Sequence, residues 1–176
     1  MPVGEIIAIG TELLLGEISD TNTTSIARIF RSLGIDLYRT MIVGDNLERI
    51  AAAIREAMQR SDIILTTGGL GPTVDDPTRQ AVALAVGVTL EYRPELWEQI
   101  QERFMRYSRQ PSENNRRQAF IPQGAVALEN PVGSAPAFSL DTGKNIIISL
   151  PGVPREMDAL MQQKVIPLLR SRFTLD

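Results

Sequence analysis

Short unbroken apolar runs alternate along the chain with longer segments whose apolar residues return every three or four positions. Ile6-Ile7-Ala8-Ile9 within Gly4–Gly10, Asp62-Ile63-Ile64-Leu65 and Asn145-Ile146-Ile147-Ile148-Ser149-Leu150 have the first pattern, that of strands covered on both faces. Ile35–Val43 reads as another strand. The second pattern fits helix faces: Ile26, Ile29, Phe30 and Leu33 in a segment from about Thr23 to Leu33, and Leu47, Ile50, Ala51, Ile54, Ala57 and Met58 in one from Leu47 to about Gln59. Gly34 suits a helix C-cap, and Asp20-Thr21-Asn22 offers N-caps. A third helix is expected from Thr78 to Val86. Strand and helix thus alternate, which predicts an α/β domain with a largely parallel sheet and helices on both faces.

The second half is more varied. Val88-Thr89-Leu90 reads as a short strand or a connection. A helix from Pro94 to about Tyr107 carries Leu96, Trp97, Ile100 and Phe104, with Trp97 read as a packing residue. Pro111–Ala119 is a polar helix start, either a solvated turn or a cationic reach toward phosphate. Proline and glycine then punctuate short strands near Val126–Leu128 and Ala137–Leu140, so antiparallel pairing and a mixed sheet are expected. The last helix carries Met157, Leu160, Met161, Val165 and Leu168, and Pro167 should kink it or end it near Ile166. With neither a repeat nor a linker, residues 1–176 read as one domain. Leu13, Leu14 and Leu15, in a loop between two glycines, are expected to pack on the domain or on a partner subunit.

Composition narrows the chemistry. A 43% hydrophobic content supports a core, and a net charge of −3 offers no basic field, so no nucleic-acid partner is expected. No apolar run approaches the ~18 residues of a membrane span. The start lacks a secretory pattern, and no cysteine hints at an oxidising compartment, so a cytoplasmic location is expected. Histidine and cysteine are both absent, which excludes Ser-His-Asp and thiol catalysis and Cys-based zinc sites. Carboxylates, Lys and Arg, hydroxyls, backbone amides and a hard metal bound through oxygen remain.

The richest stretch is Thr66-Thr67-Gly68-Gly69-Leu70-Gly71-Pro72-Thr73-Val74-Asp75-Asp76-Pro77-Thr78. It joins a strand to a helix, where glycines allow close approach to a ligand and a helix start favours an anion. It is neither a P-loop, lacking Gly-Lys-Ser/Thr, nor a dinucleotide fingerprint, lacking the third glycine. Asp76 before Pro77 is either an N-cap or, with Asp75, a metal ligand. Asp45 has the same two readings, although Asn46 is an equally good cap. Ligands bind at the carboxyl ends of parallel strands. Four loops fall there: Thr11–Gly16, Val43–Asn46, Thr66–Asp76 and Ser149–Arg155. They bring Glu12, Asp45, Asp75, Asp76, Glu156 and Arg155 to one sheet edge, a pattern that suits a metal-assisted phosphate site.

Five motifs in order resemble the N-terminal domain of CinA (competence/damage-inducible) proteins, within the MoaB/MogA-like molybdopterin-binding superfamily. They are Ile9–Gly16, Val43–Asn46, Thr67–Asp76, Glu113–Ala119 and Leu150–Met157. The resemblance implies a three-layer α/β/α sandwich with a mostly parallel mixed sheet, and a homo-oligomer, dimer or trimer. It implies hydrolysis of ADP-ribose to AMP and ribose 5-phosphate with a divalent metal. Asp45, Asp75 and Asp76 are the expected metal ligands. Mg, Mn and Co are the candidate ions, and potassium is a further candidate. Asp45, Asp76 and Glu156 are the expected catalytic residues, with Glu156 as candidate base. Thr67, Gly68, Gly69, Gly71, Pro72, Thr73, Asn115, Arg116, Pro151, Gly152 and Arg155 are the expected contacts to a small nucleotide, with Arg117 a further cation. Two other readings stay open: a molybdopterin-binding or adenylylating protein, and a non-catalytic nucleotide-binding assembly module.

Overall fold

The unbroken apolar runs are the inner strands of a six-stranded sheet. In the computed structural model, which describes residues 1–175, β1 (Val3–Ile9), β3 (Ile63–Thr67) and β8 (Ile146–Leu150) occupy the centre. β2 (Asp36–Val43) flanks β1 at one edge. β7 (Ala137–Asp141) and β6 (Val126–Leu128) complete the other edge, giving the order β2-β1-β3-β8-β7-β6. The pairs β1–β2, β1–β3 and β3–β8 are parallel, whereas β7 pairs antiparallel with β8 and β6. β4 (Leu90–Tyr92) and β5 (Phe120–Pro122) form a separate antiparallel ribbon.

Alternation along the strands divides the interior into two layers of side chains. Ile7, Ile9, Ile64 and Ile147 face α3 (Leu47–Met58), α4 (Thr78–Val86) and α5 (Pro94–Arg106), meeting Ile50, Ile54, Val82, Leu96 and Ile100. Ile6, Ile63, Leu65, Ile146 and Ile148 face the opposite layer. There they meet Ile26 and Phe30 of α2 (Thr21–Ser32) and Met157 and Leu160 of α6 (Pro154–Leu160). Each such side chain, fully buried, contributes about 1.5–3 kcal/mol. The result is the three-layer sandwich with a mixed sheet. Among the described residues, no helix is long and apolar enough to cross a membrane.

Two expectations become specific. Of the two outcomes expected at Pro167, the helix is interrupted and not ended: a wider π turn over Met161–Val165 precedes α7 (Ile166–Arg172). Proline cannot donate to the carbonyl four residues back and crowds it, and the wider turn relieves that conflict. Leu13 and Leu14 belong to a single helical turn, α1 (Thr11–Leu14). Leu14 and Leu15 stay largely exposed, at 57% and 67%, so the partner-subunit alternative is the one left to them.

Candidate functional site

The parallel strands β1, β2, β3 and β8 end together, and their following loops surround a cavity of about 700 Å³. Its floor is backbone. Gly68 and Gly69 take left-handed conformations, φ 110° and 70°. A Cβ at Gly68 would overlap the Ile9 carbonyl, and one at Gly69 would overlap the Thr78 hydroxyl. Gly152 packs so closely that its Cβ position lies 3.3 Å from the Gly68 Cα. The glycines are therefore needed for three chain segments to meet.

Side chains fix this floor. Asn22 Nδ2 donates to Thr67 Oγ1 and to the Gly152 carbonyl, each at 2.9 Å. Thr67 Oγ1 donates in turn to the Pro151 carbonyl at 3.2 Å. Buried Arg79 donates from below to the Leu70 and Gly71 carbonyls. Burial pushes its pKa down to about 10, with nearby Asp76 opposing the shift, so it stays protonated at neutral pH.

The expected metal ligands Asp45, Asp75 and Asp76 all line the cavity. Neither capping reading survives. Asn46, not Asp45, caps α3, accepting from Arg49 N at 3.0 Å. Asp45 Oδ2 instead accepts from Thr11 N at 3.1 Å, and Asp45 N donates back to Thr11 Oγ1 at 3.0 Å. Asp76 makes no cap to α4, which starts at Thr78 after Pro77. Its carboxylate accepts from Thr73 N at 3.0 Å and Thr73 Oγ1 at 2.8 Å. Glu156 also lines the cavity, and its Oε1 accepts from Asn130 Nδ2 at 2.7 Å. Buried Asn130 is fixed by its other bonds, to Ala135 O and from Val132 N and Gly133 N.

Of the expected nucleotide contacts, Thr67, Gly68, Gly69, Gly71, Pro151 and Gly152 line this cavity, whereas Pro72, Thr73, Asn115, Arg116 and Arg155 do not. The Thr73 amide is committed to Asp76. Asn115 closes a capping box with Ser112 at the start of a 3₁₀ turn, Glu113–Ala119. Arg116 lies over the Tyr92 ring, 5.1 Å from its centroid, and reaches Trp97 at 6.0 Å. Gln118 of the same turn is the member that lines the cavity. Trp97 packs against the core, as expected.

Residues that sequence reasoning missed are Asp20, Asn22, Gln118 and Asn130. Asp20 is the N-cap of α2, as its position suggested, but the whole Ile18–Asn22 segment also forms a cavity wall. Among the described residues, no three acids gather closely enough to hold a metal by themselves. The donors present are hard oxygens, and of the three expected ligand carboxylates Asp45 and Asp76 are held in place by hydrogen bonds. Such a set fits a hard cation completed by water and substrate phosphate better than a closed protein cage.

Comparison with known proteins agrees with this architecture. A family described as "Probable molybdopterin binding domain" matches residues 5–171. A CinA-like protein of Parasynechococcus marenigrum is 47% identical over 167 residues, covering 94% of this chain and 40% of that protein. The chain spans 40–42% of the length of the first curated relatives it matches. The crystal structure of CinA from Thermoplasma acidophilum superposes with a TM-score of 0.88 at 32% identity, covering 95% of this chain and 98% of that one. MoaB from Thermus thermophilus shares the fold, with a TM-score of 0.66 at 21% identity over 96% of this chain and 92% of that one. The chain belongs to the molybdopterin-binding domain family and, within it, to the CinA-like proteins.

Proposed function

We propose that this domain hydrolyses a nucleotide-sugar pyrophosphate with the help of a divalent metal, with ADP-ribose, cleaved to AMP and ribose 5-phosphate, as the leading substrate. The charge of the main cavity supports this reading most. Glu12, Asp20, Asp45, Asp75, Asp76 and Glu156 line it, and among the described residues no Arg or Lys does. A pyrophosphate enters an all-acid site only together with cations, because unscreened like charges repel strongly where water is thin. A bound divalent ion would neutralise the phosphates and lower the pKa of an attacking water.

The chain's own residues do the rest. Asp45, Asp75 and Asp76 would supply carboxylate oxygens to the cation, with water and substrate phosphate completing its shell, and the Gly68–Gly71 and Pro151–Gly152 backbone would seat the phosphates. Glu156, oriented by Asn130, accepts the proton of the water. The water oxygen bonds to one phosphorus as the bridging P–O bond breaks, and the departing phosphate keeps the electron pair.

The family match favours a second reading, binding of a molybdopterin, to which pterin-dependent use of ATP would be added. Thermal shift separates the two, because bound ligand stabilises by mass action. ADP-ribose with metal is expected to raise the Tm more than a pterin phosphate does, and to be consumed; the reverse result favours the second reading. Self-association into a dimer or trimer is expected through the exposed Leu14, Leu15 and Ile18. Leu14→Asp should then lower the mass in light scattering to that of a monomer, and an unchanged mass removes this surface.

A further inference from the structure

A second cavity of about 570 Å³ lies on the other side of the Thr73–Asp76 loop, and Asp76 is part of the wall between the two. Its charge is opposite in kind: Arg79 and Arg117 line it against the single carboxylate of Asp76, which already accepts two bonds from Thr73. Arg79 is only 4% exposed, its Nε–H has no hydrogen-bond partner, and among the described residues no carboxylate pairs with it. Burying a cation without a paired anion is costly. Arg117 is exposed at the rim and is likewise unpaired among the described residues. A lone surface arginine would mean little. Two guanidiniums, buried Arg79 and free Arg117, thus face the single carboxylate of Asp76 in the same hollow, which leaves it one negative charge short.

We propose that this second cavity binds a phosphate-class anion, inorganic phosphate or a sugar phosphate, without a metal. Arg117 contacts the anion directly as a two-pronged donor, and Arg79 contributes its field from beneath the loop. The inference stands on charge and does not depend on hydrolysis in the main cavity, whose acids repel a metal-free anion.

The test is a titration of the metal-free protein, in chelator, with inorganic phosphate and separately with ribose 5-phosphate, against chloride of equal ionic strength. The arginine Nε–H signals are followed by NMR, with that of Arg117 assigned by its disappearance in Arg117→Gln. A saturable shift of the Arg117 signal is expected with at least one probe, and the tighter probe identifies the source. Backbone signals of the Thr73–Asp76 loop should report roughly tenfold weaker binding in Arg117→Gln. Because Arg117 is exposed, this variant keeps its fold. An Arg117 signal that moves with neither probe, or wild-type affinity in Arg117→Gln, overturns the proposal.

Discussion

Asp76→Asn is expected to keep the fold and to lower ADP-ribose cleavage by on the order of a hundredfold or more, the scale of a lost charged group that acts in the transition state. The asparagine oxygen can still accept from Thr73 N and Thr73 Oγ1, which now bond the carboxylate at 3.0 and 2.8 Å, so the loop keeps its shape. Only the charge is lost. A slight loss of stability is expected beside the loss of rate, because Asp76 is the charge that favours protonated, buried Arg79. Steady-state rates at saturating metal, with a parallel melting curve, check both parts. A wild-type rate in a well-folded Asp76→Asn protein would show that this carboxylate has no part in handling the cation.

Gly68→Ala should do the opposite, damaging fold and activity together. The residue sits at φ 110°, where an L side chain is strained, and its new methyl would overlap the Ile9 carbonyl. Backbone strain alone amounts to about 1–3 kcal/mol, and relieving the overlap must push β1 and the glycine turn apart. A urea titration is expected to show a loss beyond that range's lower end, with cleavage abolished. A change within ~0.5 kcal/mol, typical of an ordinary surface substitution, would mean that the three segments are not packed backbone to backbone.

The layered architecture was legible because it rests on periodicity. Ile6–Ile9, Ile63–Leu65 and Ile146–Ile148 are all nearly or fully buried, and no strand on a wet face could carry such runs. The convergence of Asp45, Asp75, Asp76 and Glu156 followed from the same topology, since parallel strands leave their carboxyl ends on one edge. What was hidden depends on contacts distant in sequence. Asn22 looks like one more polar residue at a helix start, yet it ties Thr67 to Gly152, positions 45 and 130 residues away. Asn130 gives no local sign that it holds Glu156. The charge of the Asn115-Arg116 pair suggested a reach toward phosphate, and only the 3₁₀ turn shows that Arg116 lies on the Tyr92 and Trp97 rings while Gln118 lines the cavity. The two aspartates read as caps were ambiguous for the opposite reason: a capping sequence was present, and Asn46 and Pro77 took the helix-start positions instead.

The most direct measurement is hydrolysis of ADP-ribose by the purified chain with Mg, Mn or Co, with and without potassium, and with FAD and NADH as competing pyrophosphates. A cavity lined by acids and no cations predicts AMP and ribose 5-phosphate in equal amounts, only when a divalent ion is present, and none in chelator. Cleavage that persists in chelator, or no product with any of the three metals, would contradict a metal-dependent pyrophosphatase.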